Sequence, residues 1–178
     1  MKPRLVLPAI MELTDYGGAF EVYQEAVYQQ LLTDFVKGST FFLGKKVILI
    51  EDPRTDGREF TFCHLTSSNE FGSREESERN SELRRLETVI WIKPIIEAAS
   101  SGIASYYGVT HTRNNRNART ENRVIVWYEE EGFKIVLREG KFVYFLLTAF
   151  SVTQQHRRIA ETKKCLAYHQ NGRRPLNL

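Results

Sequence analysis

The sequence predicts an α+β fold: an antiparallel β-sheet ending in a C-terminal three-stranded meander, packed against N-terminal and middle helices. Three observations carry this. Residues 20–35 place apolar side chains at helical spacing. Residues 123–152 break into three β-rich runs separated by Glu131-Gly132 and Glu139-Gly140, short glycine-containing connections of the hairpin kind. The chain has 42% hydrophobic and 12% aromatic residues, enough apolar material for one sizeable core.

The first helix is expected from a Thr14 or Asp15 cap to about Lys37. Phe20, Tyr23, Val27, Leu31 and Phe35 form its apolar stripe. Gly38 follows, where a helix end favours a left-handed residue. Lys46 to Ile50 is short, apolar and β-branched, and reads as a buried strand. Pro53 and Asp56-Gly57 mark a turn. Glu59 to Leu65 reads as a second strand, alternating through Phe60, Phe62 and His64.

From Ser73 the composition becomes charged and helical. Ser73 and Glu76 have the spacing of a capping box, and this helix is expected to reach about Glu87. Val89 to Ala99 is apolar, with Pro94 placed near the start of a further helix, where its missing N–H does no harm. Residues 111–122 read as a long polar loop. The meander strands are expected at Arg123 to Tyr128, Phe133 to Arg138 and Phe142 to Val152, the last being central because it is densest in apolar residues. In that last strand Tyr144, Leu146, Thr148 and Phe150 share a face by simple alternation. Gln154 to His169 forms a basic C-terminal helix, with Ile159, Leu166 and Cys165 inward and Arg157, Arg158, Lys163 and Lys164 outward. The whole chain, 1–178, is read as one domain.

Charge is uneven. Residues 1–100 hold 12 basic and 16 acidic side chains, and residues 101–178 hold 13 and 6, within an overall net charge of +3. A basic half attracts polyanions. No apolar run approaches the ~20 residues of a membrane helix, and the lead-in from Met1 to Met11 is interrupted by Pro3 and Pro8, so a cytoplasmic protein is expected. Cys63 and Cys165 are read as reduced thiols. The four histidines show no metal-ligand spacing, and no cofactor is expected.

Three local patterns recur in a familiar order. They are Phe60-Thr61-Phe62-Cys63-His64-Leu65-Thr66, Leu83-Arg84-Arg85-Leu86-Glu87 leading into Val89-Ile90-Trp91-Ile92, and Tyr144-Phe145-Leu146-Leu147-Thr148-Ala149-Phe150. Together they resemble the phage and prophage branch of the barnase–EndoU–colicin–RelE superfamily of small α+β ribonucleases, many of them toxins. The resemblance spans about residues 60–152, and the nuclease-like core it implies covers about residues 40–152. What the resemblance implies is metal-independent cleavage of RNA through attack of its own 2′-hydroxyl, leaving a 2′,3′-cyclic phosphate. The implied catalytic residues are His64, Arg85 and Thr148. An imidazole titrates near neutral pH, a guanidinium suits bidentate phosphate contact, and a hydroxyl inside an apolar strand needs a partner. RNA contacts are expected from Thr66, Arg84, Arg123, Arg138 and Tyr144, and from Arg113, Arg116 and Arg119 in the polar loop. The family also implies an antitoxin or immunity protein as partner. Two other readings stand beside this one: a non-catalytic nucleic-acid-binding module, and a phage-associated protein-interaction subunit.

Overall fold

A computed structural model describes residues 4–55, 57–66, 83–112 and 120–177. Seven strands form one sheet: β1 (Thr40–Phe42), β2 (Lys45–Leu49), β3 (Ser105–Thr112), β4 (Thr120–Tyr128), β5 (Phe133–Glu139), β6 (Val143–Ser151) and β7 (Leu176–Asn177). Their order across the sheet is β1-β2-β6-β5-β4-β3-β7. The helices are α1 (Phe20–Leu32), α2 (Phe60–Thr66), α3 (Ile92–Ser100) and α4 (Gln155–Gln170), with residues 83–87 also helical. The α+β class and the C-terminal meander are as expected, and β6 is central, flanked by β2 and β5.

The sheet is mixed rather than antiparallel. β2 runs parallel to β6, pairing Lys46 with Val143 and Leu49 with Leu146, and β7 runs parallel to β3. A parallel pair needs a long crossover, and α2, α3 and most of the meander lie between β2 and β6 in sequence. Three strands, β1, β3 and β7, were not anticipated. β1 is three residues long, β7 is two, and β3 runs into the expected polar loop from before it, consuming its His111 and Thr112. β4 takes Thr120 to Asn122 from the other end of that loop.

The segment expected as a strand from Glu59 to Leu65 is the helix α2 instead. Its aromatic alternation gave a period of two, but the contacts favour a helix. Thr61 Oγ1 donates to the Leu146 carbonyl at 3.0 Å, and the Ile50 N–H donates to Thr61 Oγ1 at 2.7 Å. One side chain thus spans the gap where β2 leaves β6, while Phe62 and Leu65 enter the core. α1 starts later than expected, at Phe20, because Thr14 and Asp15 belong to a separate 3-10 turn (Leu13–Tyr16) closed by left-handed Gly17. It buries Tyr23, Val27 and Leu31 as expected but leaves Phe20 half exposed, and continues as a π-helical turn over Thr33–Lys37 that buries Phe35. Gly38 is not left-handed (φ −95°). Glycine is needed there for another reason, since a Cβ would lie 2.6 Å from the Thr33 carbonyl oxygen. The Ser73–Glu76 capping box lies outside the described residues.

The main core fills one face of the sheet. α1, α2 and α3 pack there against Val47, Val126, Phe133, Ile135, Leu137 and Leu146, all fully or nearly fully buried. The N-terminal segment crosses the same core. Trp91 Nε1 donates to the Pro8 carbonyl at 2.8 Å, the Met11 N–H to the Glu87 carbonyl at 3.0 Å, and the Tyr23 hydroxyl to the Met11 carbonyl at 3.0 Å. On the other face, α4 lies over β3 and β4 and covers Tyr107, Ile125 and Trp127. Among the described residues no helix is long and apolar enough to cross a membrane.

Candidate functional site

A register shift in β6 decides which side chains reach the second face. Leu137 pairs with Leu146, but Val136 pairs with Thr148, so Leu147 is an extra residue in the ladder. A bulge of this kind re-aims the side chains beyond it. Tyr144 and Leu146 therefore point into the main core, and so does Ala149. Thr148 and Phe150 point the other way, beside Val136 and Lys134 of β5. The expectation that Tyr144, Leu146, Thr148 and Phe150 share one face is corrected accordingly. Tyr144 is also corrected as a contact residue. It is 6% exposed and packs edge-on against Phe42, with ring centroids 5.2 Å apart.

On this second face, a cleft of about 500 Å³ opens between the end of β6, α4 and Arg85. Among the described residues four cations line it, Arg85, Lys134, Arg157 and Lys164, against a single carboxylate, Glu161. Its floor includes Phe150 and Ser151, and its rim includes residues 152–154, which lead into the uncapped N-terminus of α4. Arg157, Glu161 and Lys164 fall on one side of α4 because they are three or four residues apart. The positive end of the helix dipole adds to the cationic character there.

Glu161 organises the cleft. It is 6% exposed. Its carboxylate accepts from the Tyr107 hydroxyl and pairs with Lys134 Nζ and Lys164 Nζ, each at 3.1 Å. Burial pushes its pKa up, but the Tyr107 hydrogen bond and the two ammonium groups outweigh that and hold it below the ordinary value. The cost falls on its neighbours. Burial and then the Glu161 hydrogen bond raise the Tyr107 hydroxyl, and burial with the Glu161 charge pushes the Cys165 thiol up to about 12.

His64 and Arg85 are brought near one another. Burial lowers the His64 pKa first, and the Arg85 guanidinium lowers it further, so both favour the neutral ring. His64 stacks on Phe60, one helical turn earlier, with centroids 5.6 Å apart. The Arg85 guanidinium lies 5.7 Å from the centroid of Phe150. Thr148 is on the same face as Phe150, but among the described residues no hydrogen bond links it to His64. The predicted catalytic trio is not gathered in one place: Thr148 lies on the second face, Arg85 alone of the three lines the cleft, and His64 is carried by α2, which packs on the first face.

The expected RNA-contact residues divide. Arg138 lies over Phe145 at 4.6 Å and pairs in register with Arg123, on the second face. Arg123 Nε donates to Glu121 at 2.6 Å. Arg84 lies elsewhere, over Trp91 at 5.4 Å and beside Glu87 at 3.5 Å. The Thr66 hydroxyl donates back to the Phe62 carbonyl at 2.9 Å and so serves its own helix. Arg113, Arg116 and Arg119 lie outside the described residues. Sequence reasoning missed the cleft itself, because α4 is rotated from the expected orientation: Cys165 is buried as expected, but Ile159 and Leu166 are 47% and 57% exposed, and Glu161 is buried instead. The usable signal was Glu161 flanked by Lys164 and Cys165 on one helical stripe, facing a strand that carries Lys134.

No family model matches this chain, and neither a curated protein nor a solved structure shows significant similarity to it.

Proposed function

We propose that the protein is a cytoplasmic endoribonuclease that draws RNA to the cleft between β6 and α4 and cleaves it through 2′-hydroxyl attack. The observation that supports this most is the juxtaposition of a neutral imidazole with Arg85, a cation of a cleft that holds three more. RNA carries its own nucleophile, so the protein has to supply a base and positive charge for the phosphorane. His64 takes the proton of the 2′-hydroxyl. The 2′-oxygen attacks phosphorus, and the 5′-oxygen departs with a proton from water, leaving a 2′,3′-cyclic phosphate. Arg85 and Lys134 stabilise the added negative charge, and Thr148 offers a hydroxyl from the same sheet face. As in the toxins that the chain's motifs resemble, such an activity calls for an antitoxin or immunity partner.

Purified protein incubated with mixed RNAs in chelator tests this. Products with cyclic phosphate ends are expected, and His64→Ala should slow cleavage by about 10²–10⁴-fold. Because a lowered histidine pKa keeps the base neutral, the rate should rise with pH only below about 6.5 and be flat above it. Intact RNA at high enzyme concentration, together with unchanged growth on induced expression, overturns the reading.

A second reading, a binding module without catalysis, is favoured by one specific observation: the His64 ring is stacked on Phe60 and is not hydrogen-bonded to Thr148. It predicts salt-sensitive RNA binding that His64→Ala leaves unchanged.

A further inference from the structure

The half of the second face that α4 leaves to β5 and β6 carries an unusual pair of contacts. Phe145 and Phe150 both point outward from β6 and are only half-buried. Each has a guanidinium over its ring, Arg138 at 4.6 Å and Arg85 at 5.7 Å. Phenylalanine on a sheet face is normally covered by another layer, yet among the described residues α4 packs mainly on β3 and β4, and the cluster around its Cys165 takes in Val136 of β5 and Leu147 of β6 but neither Phe145 nor Phe150. We propose that the β5–β6 surface is a stacking platform for single-stranded nucleic acid, seating unpaired bases at the Phe145–Arg138 and Phe150–Arg85 pairs. This rests on the RNA reading above and specifies the form of RNA the site accepts.

Bases stack on aromatic rings and on guanidinium planes alike. A ring already paired with an arginine therefore offers a flat, cationic seat without much further ordering. The bases of a duplex are engaged with one another and do not present their faces, so the platform selects unpaired strands.

The spacing of the two seats narrows the ligand further. On β5 their partners are Arg138 and Lys134, four residues apart, or about 13 Å at roughly 3.3 Å per residue. Bases in direct succession in a helical stack lie only about 3.4 Å apart. The two seats therefore take bases that are not neighbours in a continuous stack, from a strand drawn out along β6. Thr148 stands between them, opposite Val136. Lys134 flanks the same track and meets the phosphates.

The test uses oligouridines with 2′-O-methyl sugars, which lack the attacking hydroxyl and so report binding alone. They are titrated by fluorescence anisotropy against the intact protein, beside a blunt RNA hairpin of equal phosphate number. Binding of the single strand at least tenfold tighter than the hairpin is expected. Phe145→Leu and Phe150→Leu should each weaken single-strand binding about fivefold or more while leaving the hairpin unchanged. Leucine keeps apolar bulk at each site, and unchanged thermal melts verify the fold. Equal affinity for hairpin and single strand, or leucine variants that bind like the parent, overturns the platform while leaving the RNA reading intact. Binding of neither RNA removes the RNA reading and the platform with it.

Discussion

The two faces of the sheet are built on different physics. The first is closed by three helices and an N-terminal segment, and its contacts are overwhelmingly apolar: Tyr23, Val27, Leu31, Ile95, Ile96 and Phe133 are at most 1% exposed. Among the described residues the second is half-covered by one helix, whose inward stripe is largely polar. Arg158 donates to the Glu129 and Glu130 carbonyls, Thr162 accepts from Trp127 Nε1, and Glu161 gathers Tyr107, Lys134 and Lys164. Gly132 belongs to this seam, with φ +63° and Arg158 where a Cβ would stand. The lesson is that one sheet can supply stability from one side and leave charge and aromatic surface for binding on the other.

That division can be broken most severely from the first face. Phe133→Ala should cost about 3–5 kcal/mol, because the cavity opens against Trp91 in a core with no way to relax. Denaturant unfolding measures it, and a loss under 1 kcal/mol would mean the main core lies elsewhere. On the second face, Glu161→Gln should cost about 1–2 kcal/mol, since it keeps the Tyr107 contact but leaves two partly exposed ammonium groups unneutralised. The same change removes a pH dependence. The Glu161 pKa is depressed in the folded protein, so its contribution is complete above the unfolded value of about 4.3 and is lost as pH falls through the lower folded value. The glutamine variant should lack that acid-side loss.

A smaller effect sharpens the comparison at His64, beside Arg85. The His64 pKa is lowered on folding, so the unfolded chain binds the proton first and stability falls as pH drops below about 6.5. His64→Asn should flatten stability between pH 7 and 5, read from unfolding midpoints at both. The smallest effect is expected on the outer side of α4. Ile159→Gln with Leu166→Gln should change stability by no more than about 0.5 kcal/mol, because both side chains face water. A large loss there would restore the helix orientation first expected from its apolar residues.

The first face was legible because burial imposes a period. Tyr23, Val27 and Leu31 announce a helix, and the meander announces itself through β-rich runs with glycine between them. α2 was misread because Phe60, Phe62 and His64 alternate, although Thr61 is the residue the fold needs, as a bridge from Ile50 to Leu146. The second face was illegible for two physical reasons. A bulge at Leu147 changes facing without leaving a compositional mark. A helix that buries Glu161 rather than Ile159 reverses the usual rule, because its partners on the sheet are a tyrosine hydroxyl and a lysine. Of the anticipated site, Arg85 reaches the cleft, Arg123 and Arg138 lie on its sheet face, and Tyr144 belongs to the core.

The parallel pairing of β2 with β6 has a kinetic side. Lys46 meets Val143 only after nearly the whole meander has been made. Closing so long a loop is entropically costly before the contact rewards it, and chains dominated by such distant pairings fold slowly. On the ribosome, β2 has only its hairpin partner β1 until β6 emerges, and the edge that β6 will cover stays open through that interval. The meander, whose neighbours are local, is free to form first and serve as the template on which the earlier part of the chain docks.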